Sequence, residues 1–197
     1  MKHTGPLWGN LKIEESSEVL LSLLRNREEY LPQLELIRAE QRRREWLACR
    51  VLLQELTGGP ACIAYRPNGA PYLSGSSLHI SISHTKGYAA VLLQNRPAAG
   101  IDIEYHSGRV SKIRSRFMNP EEEAGIDKRA RDGALVASLV CKRDAFKMIG
   151  QEEVDFLHHL HVRPFPYAEE GSFTVYETRT EEGAVYRLDY LVTPISY

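Results

Sequence analysis

The chain has no surplus of charge of either sign. Its 197 residues carry 25 Lys and Arg against 26 Asp and Glu, a formal charge of −1. Nucleic-acid binders draw much of their affinity from neutralising phosphates and usually show a basic excess. A globally basic binder is therefore excluded, and any anion must be met by a local patch. Cysteine is also scarce. Cys49, Cys62 and Cys141 are odd in number and far apart, which gives neither a disulfide framework nor a paired metal spacing. The longest apolar runs fall well short of the ~20 residues that cross a bilayer. The opening segment MKHTGPLWGNLKIEESSE lacks the apolar core of a signal peptide. These absences predict a reduced, cytoplasmic protein with neither membrane nor nucleic acid as partner, and the chain is expected to be a monomer. What is present, 43% hydrophobic residues and 9% aromatics, is globular composition. The length fits one domain or two small ones, at ~100–200 residues per domain.

The pattern changes along the chain. An apolar patch at Leu7 and Trp8 leading to Ile13 predicts a first strand, and Ser16 and Ser17 before EVLLSLL predict an N-capped helix. A longer helix is expected over 34–56, ended by Thr57-Gly58-Gly59-Pro60, with Arg42, Arg43, Arg44 and Arg50 clustered in it. From residue 61 the period becomes two. LHISIS, YAAVLLQ and AAGIDIE read as three strands of an antiparallel meander after the turn-rich RPNGAPYL loop. Asn119-Pro120 opens the acidic helix start EEEAG; residues 134–149 form a second long helix closed by Gly150; FTVYETRT and AVYRLDYLV make a terminal hairpin. This is an α+β chain of two halves, 1–98 and 99–197.

Several residue groups could carry chemistry. On a strand, Asp102 and Glu104 share a face with Gly100. Two adjacent carboxylates either accept a hard cation such as Mg²⁺ or stand as solvated acids at a strand end. His84, after Ser83 at a strand-to-loop junction, is either a phosphate donor or a surface turn histidine. The 42–44 arginines with Arg50 are either a solvated helix face or phosphate ligands. On the second long helix, Val140, Arg143, Asp144 and Lys147 lie on one stripe, either an ion-pair ladder or the wall of a site. His158, His159 and His161 have no accompanying metal motif and read as structural.

The order of these pieces is more specific than any one of them. RRREWLACR, NGAPYL, ISISHT, GIDIE, RFMNPEE and KRDAFK, over residues 38–150, resemble the Sfp-type 4′-phosphopantetheinyl transferases, in particular the compact bacterial members. The resemblance implies a pseudo-twofold pair of α/β halves with antiparallel sheets. The implied activity moves the phosphopantetheine arm of coenzyme A to a serine of an acyl, peptidyl or aryl carrier protein, with Mg²⁺ as cofactor. Asp102, Glu104 and Asp144 would hold the metal, with Asp144 and Lys147 as catalytic residues. Ser83, His84 and Lys147 would hold the coenzyme A phosphates, and Arg43, Arg44 or Arg50 the ribose 3′-phosphate. The basic stretch 109–116 would dock the acidic carrier. Three departures stand out: Leu139 replaces the family's tryptophan, Ala70 a common basic residue, and Arg143 a metal-binding glutamate. An arginine at 143 would fill the metal's place against the two acids, unless one residue is skipped so that Asp144 takes the glutamate's position. The departures also allow a degenerate member that binds coenzyme A or a carrier protein without transfer.

Overall fold

In a computed structural model, residues 5–96, 100–126, 128–149 and 153–193 are described. They form six α-helices and three small antiparallel sheets, in two packing units that divide after Ile103. The expected boundary at 98/99 and the helix stop at Gly150 lie outside the described residues.

In the first unit, Leu7, Gly9 and Leu11 alternate with exposed neighbours to make β1 (Leu7–Lys12). Ser16 caps α1 (Ser17–Leu23), its hydroxyl accepting from Val19 N at 3.4 Å. Then follow α2 (Arg27–Glu35), α3 (Glu40–Thr57), the hairpin β2 (Ile63–Tyr65) and β3 (Pro71–Leu73), β4 (His79–Thr85) and β5 (Tyr88–Gln94). The main sheet has the order β1-β5-β4, and α3 packs Leu47, Ala48 and Leu53 into a core with Ile80, Ala89, Val91 and Leu93. Gly9 permits the close approach of that helix: a Cβ there would lie 2.9 Å from Leu52 Cδ2. Gly58 ends α3 with φ +71°, a left-handed conformation that glycine adopts without steric cost.

Two expectations change. The helix over 34–56 is two helices, because Ala39 is extended and Arg43 Nε donates to Ile37 O at 2.6 Å. A side chain thus satisfies the carbonyl at the break. The third strand of the meander is absent as a strand. Residues 100–106 have no ladder, because the Ile101 and Ile103 amides donate to the Ser81 and Ser83 hydroxyls (3.0 and 3.2 Å). The third strand of that sheet is β1.

The second unit contains α4 (Gly108–Ile113), α5 (Pro120–Ala124), α6 (Arg131–Ile149), β6 (Leu160–Val162), β7 (Glu170–Glu177) and β8 (Ala184–Leu191). The sheet order is β6-β7-β8, with the expected terminal hairpin at β7–β8. α6 packs on two sides: Ala137, Cys141 and Ala145 meet Leu160, Phe173 and Val175, while Leu135, Val136 and Leu139 meet Val110, Phe117 and Met118. Leu139 is thus a core residue.

Between these apolar faces lies a buried ion pair. Lys142 is fully buried and donates to Glu122 Oε2 (2.8 Å), Phe117 O (2.5 Å) and Phe156 O (3.0 Å). Glu122 closes the capping box of α5 with Asn119 and accepts from Val162 N at 2.7 Å. Burial holds the Lys142 pKa below its ordinary value, opposed by the Glu122 carboxylate. Removing one member strands a buried charge. Lys142→Met is therefore expected to lower the unfolding free energy by ~3 kcal/mol, measured by urea denaturation; a loss below ~1 kcal/mol would contradict this role.

Candidate functional site

The first unit gathers the motif residues at the end of β4. The period of two sends Ile80, Ile82 and His84 to the α3 side and Ser81 and Ser83 to the other. On the α3 side, His84 Nδ1 lies 3.0 Å from Glu45 Oε2, and Arg42 Nη1 closes against His84 Nε2. Gln41 Nε2 donates to the other Glu45 oxygen at 3.1 Å. On the opposite side, Ser83 Oγ donates to Asp102 Oδ1 at 2.7 Å while accepting the Ile103 amide.

These bonds reassign several expected ligands. Ser83 is buried and its one hydroxyl proton goes to Asp102, so it does not supply a phosphate donor. Arg50 is only 2% exposed; its guanidinium lies 3.1 Å from the Trp46 ring centroid and donates to Trp46 O at 2.9 Å. A phosphate at Arg50 would have to enter the core as the first unit is packed here. Arg44 fastens the end of β1, donating to Ile13 O and Glu15 O at 2.7 Å each, and Arg43 fastens the turn before α3. Both have structural duties. The arginine that stands beside His84 is Arg42.

In the second unit, the two neighbouring charges on α6 separate. Arg143 Nη1 donates to Glu104 Oε2 at 2.9 Å, and Tyr105 N donates to Glu104 Oε1 at 3.2 Å. Asp144 instead lies with Lys147, Nζ to Oδ1 3.9 Å, one turn along the helix. α6 runs without interruption from Arg131 to Ile149, so Arg143 and Asp144 point ~100° apart on it.

Magnesium prefers several hard oxygen ligands in octahedral array. Here Asp102 holds a serine hydroxyl, and Glu104 holds a guanidinium and an amide. Among the described residues no three His, Cys, Asp or Glu side chains are grouped as a metal would need. Within the second unit, a cation at Glu104 would compete with Arg143 and one at Asp144 with Lys147. Of the histidines after α6, His159 holds a local turn, its Nδ1 accepting from Asp155 N (2.9 Å), while His161 Nδ1 meets Asn119 Nδ2 at the start of α5 at 3.3 Å. Burial raises the Cys49 thiol to about 11 and lifts Cys141 as well, so neither offers a thiolate nucleophile at neutral pH.

Glu45, Gln41 and Ser81 were not singled out in the sequence. The i, i+3 and i, i+4 spacing of Arg42 and Gln41 to Glu45 was the available signal for the first two. The Ser-x-Ser alternation was the signal for Ser81. Because the Ser83 hydroxyl both donates and accepts, Ser83→Ala should cost ~1–3 kcal/mol and speed hydrogen exchange at the Ile103 amide, leaving the Val91 amide protected. Unchanged Ile103 exchange would contradict the tether. Compared with protein-family models and with the curated proteins, the chain gives no match.

Proposed function

We propose that this chain is a 4′-phosphopantetheinyl transferase, moving the phosphopantetheine arm of coenzyme A to a carrier-protein serine. The order of motifs carries this reading. The His84–Arg42 pair supports it, since an exposed guanidinium beside an imidazole edge suits a phosphate. Lys147, partly exposed on α6, supplies a second cation. In this reaction the serine oxygen bonds to the phosphopantetheine phosphorus as adenosine 3′,5′-bisphosphate leaves. The chain's own contribution is to position the phosphates and offset the charge that builds on them. The reading also implies a pseudo-twofold arrangement of the two units, a carrier docking on Arg109, Lys112 and Arg116, and magnesium assistance. Arg114 of that basic stretch is shared with Glu123 (2.9 Å), which leaves the other three for docking.

One observation favours a second reading. The Arg143–Glu104 pair puts a protein cation on an acid assigned to the metal. A degenerate member that binds coenzyme A or its carrier without transfer would be built this way.

Incubation with coenzyme A, Mg²⁺ and apo-acyl carrier protein separates the two. The transferase reading expects the carrier to gain the arm on its serine, seen by intact-mass spectrometry, and His84→Ala to slow this about tenfold or more. No labelling of acyl, peptidyl or aryl carriers would overturn it. Calorimetric binding of coenzyme A that is tight and indifferent to Mg²⁺ would then establish the binder.

A further inference from the structure

The contacts around His84 decide which of its nitrogens carries the proton. A carboxylate only accepts hydrogen bonds and a guanidinium only donates them. Glu45 Oε2 at 3.0 Å from Nδ1 therefore requires Nδ1–H, and Arg42 Nη1 against Nε2 requires a lone pair there. The carboxylate selects the Nδ1–H form; the guanidinium, also 3.5 Å from Nδ1, lies nearer Nε2, in keeping with it. Glu45 is itself held: the residue is 8% exposed, Gln41 Nε2 donates to its Oε1, and Arg42 Nη1 lies 3.6 Å from its Oε2. All three are on one face of α3, a helix anchored against the sheet that carries His84.

We propose that Glu45, braced by Gln41, is the positioning residue of His84. It fixes the ring plane through Nδ1–H and thereby turns Nε2 toward Arg42; a phosphate arriving there accepts from Arg42, and from Nε2 only with a proton on that nitrogen. The fixing of the ring is a property of the free protein. Its consequence for coenzyme A rests on the transferase or binder reading above. A histidine whose far nitrogen is bonded to a buried carboxylate keeps its orientation when a ligand arrives, whereas an untethered ring must be ordered at that moment.

The full-length chain and its Glu45→Ala, Glu45→Gln, His84→Ala and Glu45→Ala/His84→Ala variants test this. In two-bond ¹H–¹⁵N spectra of the imidazoles, native protein should show His84 as the Nδ1–H form. Glu45→Ala should abolish that signature and Glu45→Gln, which retains an acceptor oxygen of the same reach, should keep it. In calorimetric titration, Glu45→Ala should weaken coenzyme A about tenfold, and should add no loss in the His84→Ala background. An unchanged His84 spectrum in Glu45→Ala would overturn the proposal, as would an equal loss of affinity with and without His84. Should Glu45→Ala fail to fold, loss of the Nδ1–H signature in a folded Glu45→Gln would overturn it too. If His84→Ala leaves coenzyme A affinity untouched, the coenzyme A reading of His84 fails, and the spectra alone decide for or against Glu45.

Discussion

A serine hydroxyl can stand in for a strand's carbonyl, and at β4 two of them do. Ser81 and Ser83 are two residues apart, so their side chains leave the same face at the repeat of an extended chain. They receive the Ile101 and Ile103 amides at that spacing. The segment is thereby held to the sheet without joining it. Ser83 then spends its only proton on Asp102, which fixes that carboxylate against β4. The same alternation sends His84 to the other face, where α3 brings Glu45 and Arg42 to it. One strand with period two thus distributes the motif residues: the acid is held on one side and the imidazole on the other.

In the second unit the corresponding constraint is angular. Successive residues on a helix point ~100° apart, so Lys142, Arg143 and Asp144 cannot serve one site. Lys142 points into the core and is fixed by Glu122 and two carbonyls. Arg143 reaches Glu104, and Asp144 reaches forward to Lys147. The energies differ with burial. Breaking the Lys142 pair strands charges where water cannot follow, at several kcal/mol. Arg143 and Glu104 keep side-chain exposures of 35% and 22%, and a pair so wetted contributes ~1 kcal/mol or less. The first pair is therefore part of the fold, and the second is weak enough to open at little cost.

Much of this was legible in the sequence wherever one period held. The alternation in LHISIS and YAAVLLQ located β4 and β5, Ser16 located the start of α1, and the hairpin at the end of the second unit followed from two alternating runs around a Glu-Glu-Gly turn. Failures came where side chains replaced backbone partners. GIDIE alternates like a strand, but its amides are satisfied by serines, a choice that periodicity does not encode. Residues 34–56 look continuously helical, but a single arginine–carbonyl bond stabilises the break after α2. The same blindness affected the site. The motif likeness drew attention to Arg43, Arg44 and Arg50, while burial and backbone carbonyls claim them, and Arg42 was the arginine left to face His84.

The near-neutral charge has the same origin. Arg42 meets Glu45, Lys142 meets Glu122, Arg143 meets Glu104, Lys147 meets Asp144 and Arg114 meets Glu123. Each motif cation in this set already has an acid of its own within the same unit. Under the transferase or binder reading, ligand binding would be an exchange, in which a phosphate takes a cation from a carboxylate or a metal takes a carboxylate from a cation. Exchange is cheap only where water already screens the pair, which sets Arg42, Arg114 and Arg143 apart from the rest. Lys142, equally part of the motif, is excluded by its burial. Solvent exposure thus separates the motif cations that water reaches from Lys142, which holds the fold.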